Sequence, residues 1–148
     1  LIQNSGDEML LISVSMFLGS ILTNSVEIQN FVSSNIGDYF PFWAMIILLP
    51  FIVWCFSLIG VHPIITSAPI LSIFGPLLSV WEAAFLMQAH LIGWCAGTAI
   101  SFTSLSVLTS AENFKISISK LVFGPNFFAT FGLIFFGALF LILSNYLL

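Results

Sequence analysis

Between Pro41 and Thr109 the chain carries a single formal charge, Glu82. A water-facing surface is where charged side chains are normally spent, and one carboxylate cannot serve a soluble domain of that length. Lipid is the alternative solvent, since a helix crossing about 30 Å of hydrocarbon needs roughly 20 apolar residues. The uncharged stretch holds several such lengths. The 148 residues as a whole agree, being 59% hydrophobic and 5% charged with a mean hydropathy of +1.16, far from soluble-domain composition. The sequence reads as an all-α integral membrane protein: residues 1–148 form a single membrane domain with about four transmembrane segments.

Charge and cysteine usage exclude other classes. Two lysines, no arginine and a net charge of −4 leave no basic patch for nucleic acid. Cys55 and Cys95 lie in apolar segments at a spacing that makes neither a zinc nor a disulfide signature, so they read as small hydrophobes. The first residues, LIQNSGDE, lack the basic start and cleavage site of a signal peptide; the chain reads as the later part of a longer polypeptide.

Five apolar stretches follow in order. Met9 to Val26 is long enough to cross but rich in Ser, Thr and Asn, and Glu27 to Tyr39, with Asp38, reads as interfacial. Pro41 opens PFWAMIILLPFIVWCFSLIG, whose Phe42 and Trp43 suit the headgroup level. His62 to Leu78 holds Pro63, Pro69 and Pro76, too many for one straight helix. Trp81 and Glu82 mark an interface before the long segment Ala83 to Leu108. After a loop with Glu112, Lys115 and Lys120, the phenylalanine-rich Val122 to Leu148 is apolar all round, as a lipid-facing span should be. Because both lysines lie in residues 110–121, the positive-inside rule puts that loop in the cytoplasm and the C-terminus outside.

Three features could carry chemistry. The first is GVHPIITSAPIL, Gly60 to Leu71. Gly60 can end one helical arm, and Pro63 suits the first position of the next, with His62 at the break. Thr66 and Ser67 then fall one turn into the second arm. A helix broken at membrane depth is tolerated only inside protein or beside a water-filled cavity, and its ends attract ions. The sequence permits two readings, a re-entrant or Pro-broken helical hairpin with this tip, or a turn in water between two spans.

The second is the run from Ala96 to Phe114, where Gly97, Thr98, Ser101, Thr103, Ser104 and Ser106 fall in the middle and inner half of a span. Gly93 and Gly97 have the small-xxx-small spacing of close helix packing, and hydroxyls can bond back to their own helix. Alternatively the helix unwinds near Gly97 to Thr98 and offers carbonyls and hydroxyls to an ion or anion. The third is Gln88 with His90. An intramembrane ionisable group suggests function, so His90 is either a proton-handling or substrate group or a neutral histidine bonded to a neighbouring helix. No set of metal ligands accompanies His62 or His90, and no acid, base and nucleophile converge as an enzyme would require.

In segment order and breaks the chain resembles the C-terminal half of the ion transporter superfamily, which includes divalent-anion:sodium symporters and arsenite permease-like proteins. The resemblance spans nearly the whole chain. It implies half of an inverted-repeat transporter, with Met9 to Val26 as a scaffold span, Pro41 to Leu78 as the hairpin, Ala83 to Leu108 as the discontinuous helix and Val122 to Leu148 as the terminal span. Symporters of this group carry Ser-Asn-Thr at the hairpin tip, where this chain has Val61, His62 and Pro63.

The function that follows is secondary active transport of a small anion or organic acid. Its substrate and ion site would join Gly60, His62, Pro63, Thr66 and Ser67 to Gly97, Thr98, Ser101 and Ser104. The resemblance implies no cofactor beyond Na+ or H+ as coupling ion, with His62 and His90 as the proton-handling residues if it is H+. Its expected partners are the lipid bilayer, a preceding repeat or partner subunit, and a second copy in a homodimer, and its expected location is a bacterial inner (plasma) membrane. The alternative is a non-transporting structural subunit packing through Gly93 and Gly97.

Overall fold

The computed structural model describes residues 2–37 and 40–147, with side chains at 9, 10, 13, 14, 16–35 and 40–147. The part of the interfacial stretch read at Asp38 and Tyr39 lies outside these residues. Every regular element among the described residues is helical: α1 Ile2–Asn24, α2 Val26–Val32, α3 Phe42–Leu58, α4 Pro63–Phe74, α5 Val80–Ile100, α6 Leu105–Phe114, α7 Ile118–Leu121 and α8 Phe127–Leu147. Two stretches, Val80–Phe114 and Ile118–Leu147, are long and apolar enough to cross a membrane.

Local chemistry sets most boundaries. Ser25 interrupts the first helical run and caps α2 by accepting the Ile28 N–H at 3.4 Å. The stretch read as interfacial is therefore partly helix, with a π-helical turn over Ser33–Gly37. At the start of α5, Ser79 Oγ accepts the Glu82 N–H while Glu82 Oε2 accepts the Ser79 N–H at 2.9 Å. This reciprocal capping box gives Glu82 a structural use. Lys115 closes α6 with φ 53, a left-handed cap that sends the Ile116 N–H back to Ala111 O at 3.0 Å. The final apolar stretch is not one straight helix, because Gly124 leaves helical geometry and Pro125 follows it.

The seam between α3 and α5 is the centre of the molecule. A Cβ on Gly93 would fall 2.6 Å from Pro50 Cα, so only glycine lets the two backbones approach this closely. Around the seam, Ile46, Phe85, Ala89, Ala138 and Leu141 join α3, α5 and α8. Met45, Leu49, Val53 and Leu86 pack toward α4. Trp54 is buried with Ala96, Ile100 and Ile134, and its indole N–H donates to Thr130 Oγ1 at 2.9 Å.

α1 and α2 lie against α4, and a proline explains how. Pro76 has no N–H to give to the carbonyl four residues earlier, which leaves Ser72 O free. Thr23 Oγ1 and Gln29 Nε2 both donate to it, each at 3.3 Å. Gln29 Nε2 also reaches Leu22 O at 3.3 Å, near the end of α1. One amide thus ties the base of α4 to the first two helices. Between α3 and α4, near that base, an apolar groove of about 250 Å³ is lined by Phe40, Met45, Leu48, Leu49, Ile52, Ile70, Phe74 and Leu86.

Candidate functional site: a helical tip facing a helix break

α3 has 17 residues and α4 has 12, so at 1.5 Å per residue they reach about 25 and 18 Å. They are antiparallel arms joined by Ile59 to His62. Gly60 makes the turn with φ +87, a value that L side chains rarely adopt, and the chain then extends to His62. That residue is the N-cap of α4, its Nδ1 accepting the Ile64 N–H at 3.3 Å, and Pro63 occupies the first helical position.

Facing this tip, the long helical stretch of residues 80–114 is interrupted. α5 ends at Ile100, Ser101 turns extended, and α6 begins after Ser104. The unwinding expected near Gly97 to Thr98 therefore falls one turn later. Gly97 remains helical, and its carbonyl accepts the Ser101 N–H at 2.9 Å. Its missing side chain serves packing: a Cβ there would lie 2.5 Å from Ser57 Oγ and 3.4 Å from Pro63 Cγ. Gly97 is thus where the arms of the tip rest on α5.

Tip and break border a half-open cavity of about 310 Å³ lined by His62, Pro63, Thr98, Ser101, Thr103, Ser104, Leu105 and Ser106. Thr103 Oγ1 donates to Gly60 O at 3.3 Å and pairs with Ser101 Oγ at 3.0 Å. Ser104 Oγ pairs with Ser106 Oγ at 2.7 Å, and Ser106 Oγ donates to Thr98 O at 3.3 Å. These hydroxyls satisfy carbonyls released by the break and bind it to the tip.

Gly60, Thr66, Ser67, Gly97 and His90 stay out of the cavity lining. Thr66 Oγ1 and Ser67 Oγ both donate to Pro63 O, at 2.9 and 2.8 Å, and Ser67 is buried. Their hydroxyls bond back to α4's own first turn. His90 is likewise outside it, buried on α5 with no hydrogen-bond partner for Nδ1 among the described residues. It stands edge-on to Trp94 at 5.5 Å, and Trp94 in turn stands edge-on to His62 at 5.6 Å.

The candidate set omitted four residues. Thr103 and Ser106 belong to the same hydroxyl run as Ser101, so the signal was present. Asn126 Nδ2 donates to Ala99 O at 2.8 Å, capping the end of α5 from 27 residues away; an amide beside Gly124-Pro125 was the available sign. Trp94 gave none.

Among the described residues the cavity has no Asp, Glu, Lys or Arg in its lining, is rich in hydroxyls and is fed by helix ends. The first amides of a helix lack intrahelical partners, and Ser104 makes no side-chain cap on α6. Both α4 and α6 begin at the cavity, so two positive dipole ends meet there. The hydroxyls can donate or accept. Among the described residues no three His, Cys, Asp or Glu side chains come together as metal ligands.

Comparison of the chain with protein-family models, curated proteins and solved structures finds no match.

Proposed function

We propose that the chain is an integral membrane protein forming half of a secondary active transporter, with a small anion or organic acid as substrate and a sodium or proton gradient as driving force. The observation that carries this reading is the meeting of the α3–α4 tip with the α5–α6 break at one polar cavity, bridged by Thr103 and Gly60. Backbone interrupted in this way within an apolar fold is tolerated where it lines a water-filled cavity, and paired helix N-termini favour an anionic substrate. Apolar exposure supports the membrane setting: Phe128, Phe136 and Phe140 of α8 are each more than two-thirds exposed, a surface suited to lipid.

In this reading α3 and α4 form a re-entrant hairpin, and α1, the hairpin, α5–α6 and α8 supply the four segments. Residues 110–121 are cytoplasmic, the C-terminus is outside and the membrane is a bacterial inner membrane. A preceding repeat, a partner subunit or a second copy completes the cavity, and no enzyme reaction is assigned.

Labelling tests this directly. In a chain lacking Cys55 and Cys95, a cysteine placed by Val61→Cys is expected to react with a membrane-impermeant thiol reagent from the outer side. Reaction only from the cytoplasmic face overturns the hairpin, and a tip that stays closed to the reagent on both faces favours the structural subunit.

A further inference from the structure

His62 has two roles at the tip, as cap of α4 and as lining of the cavity. The first holds only while Nδ1 carries no proton. A ring nitrogen that accepts a hydrogen bond carries no proton, so while Nδ1 accepts the Ile64 N–H His62 is neutral, with its proton on Nε2. A second proton must enter at Nδ1, the atom that holds the cap. Once there it turns the acceptor into a donor, and the Ile64 N–H loses its partner. The resulting imidazolium also sits at a helix N-terminus, where a positive charge opposes the macrodipole.

We propose that His62 is a proton-operated switch of the tip, in which a proton taken from water in the cavity onto Nδ1 uncaps α4 and releases the Ile64 amide toward the cavity. The bond lost is Ile64 N–H to Nδ1; the Nε2–H is retained, and the product is an imidazolium with two donors. In the neutral state the tip is satisfied by its own ring, and in the protonated state it presents donors and a charge.

The neighbours fit this assignment. From α5, Trp94 faces His62 edge-on, with His90 edge-on to the same indole. The end of α5 contributes Thr98 and Ser101, the break Thr103 and Ser104, and α6 Leu105 and Ser106. His90 is the single other titratable group in this set, and no Asp, Glu, Lys or Arg among the described residues lines the cavity. With no carboxylate there to neutralise an imidazolium, the counter-charge falls to a bound anion, which makes protons the coupling ion. That consequence rests on the transport reading above; the switch itself is a property of the tip.

The test compares the full chain with His62→Asn, since Asn is a strong N-cap that does not titrate. Hydrogen exchange of the Ile64 to Ser67 amides, corrected for intrinsic rate, is expected to lose protection about fivefold from about pH 8 to pH 5, the size of one helix cap. In His62→Asn, protection is expected to stay constant. In a tag-free His90→Gln chain His62 is the sole histidine. Its ¹⁵N ring shifts should give the Nε2–H tautomer at about pH 8 and a doubly protonated ring at about pH 5. A flat wild-type profile, an equal loss in His62→Asn, a loss abolished by His90→Gln, or an Nδ1–H tautomer each overturns the switch. The transport reading fails separately, on the Val61→Cys labelling.

Discussion

The two ends of the α3–α4 pair hold spaces of similar volume, about 250 Å³ at the base and about 310 Å³ at the tip. Eight apolar side chains line the first, whereas hydroxyls and an imidazole dominate the second. Size is therefore not what separates them. At the base the lining comes from helical residues and Phe40, and the one carbonyl that Pro76 frees is answered by Thr23 and Gln29. At the tip two helices end and two begin, so backbone donors and acceptors arrive together with the side chains that serve them. Polarity inside this apolar fold is a product of interrupted backbone, and interruption is concentrated where the tip meets the break.

On the transport reading proposed above, that contrast predicts that stability and uptake respond in opposite order along the pair. The largest loss of stability is expected at the seam. Gly93→Ala drives a methyl into the Pro50 backbone and should cost about 3 kcal/mol, read as a fall in the melting temperature of the detergent-solubilised protein. Leu49→Ala, in the wall of the apolar groove, should cost about 2 kcal/mol and leave uptake of small dicarboxylates and inorganic oxyanions unchanged. Thr103→Val keeps the shape of the side chain and removes its solvent-accessible hydrogen bonds to Gly60 O and Ser101 Oγ, so its stability cost should stay at about 1 kcal/mol. Uptake should nevertheless fall at least about tenfold, because the hydroxyl that joins tip and break is gone. Equal effects of Leu49→Ala and Thr103→Val on uptake would erase the distinction between the two ends.

Much of the tip was legible in the sequence, because its determinants are local. Gly60 supplies the positive φ, His62 the cap and Pro63 the first helical position within four residues. The break was legible only in outline. Gly97 carries two readings in the sequence, close packing or unwinding; in the structure its lack of a side chain is consumed by Ser57 and Pro63, and the helix holds for another turn. Ser101, Thr103 and Ser104 are where hydroxyls compete with helical bonding. Thr66 and Ser67, expected at the site, donate to Pro63 O instead of lining the cavity, because a hydroxyl one turn into a helix bonds backward as readily as outward. Partners distant in sequence, Asn126 for Ala99 and Gln29 for Ser72, follow from tertiary placement. Even so, Pro76 announces that Ser72 has a carbonyl to spare.

The Thr103 to Gly60 bond spans 43 residues, and this has a bearing on biogenesis. At about 5–20 residues per second, the ribosome delivers Thr103 roughly two to nine seconds after Gly60. Through that interval the nascent hairpin must carry its tip carbonyl without its later donor. The unfinished tip is thus a recognisable stage of synthesis, and the step at which α5 and α6 arrive is the one that closes it.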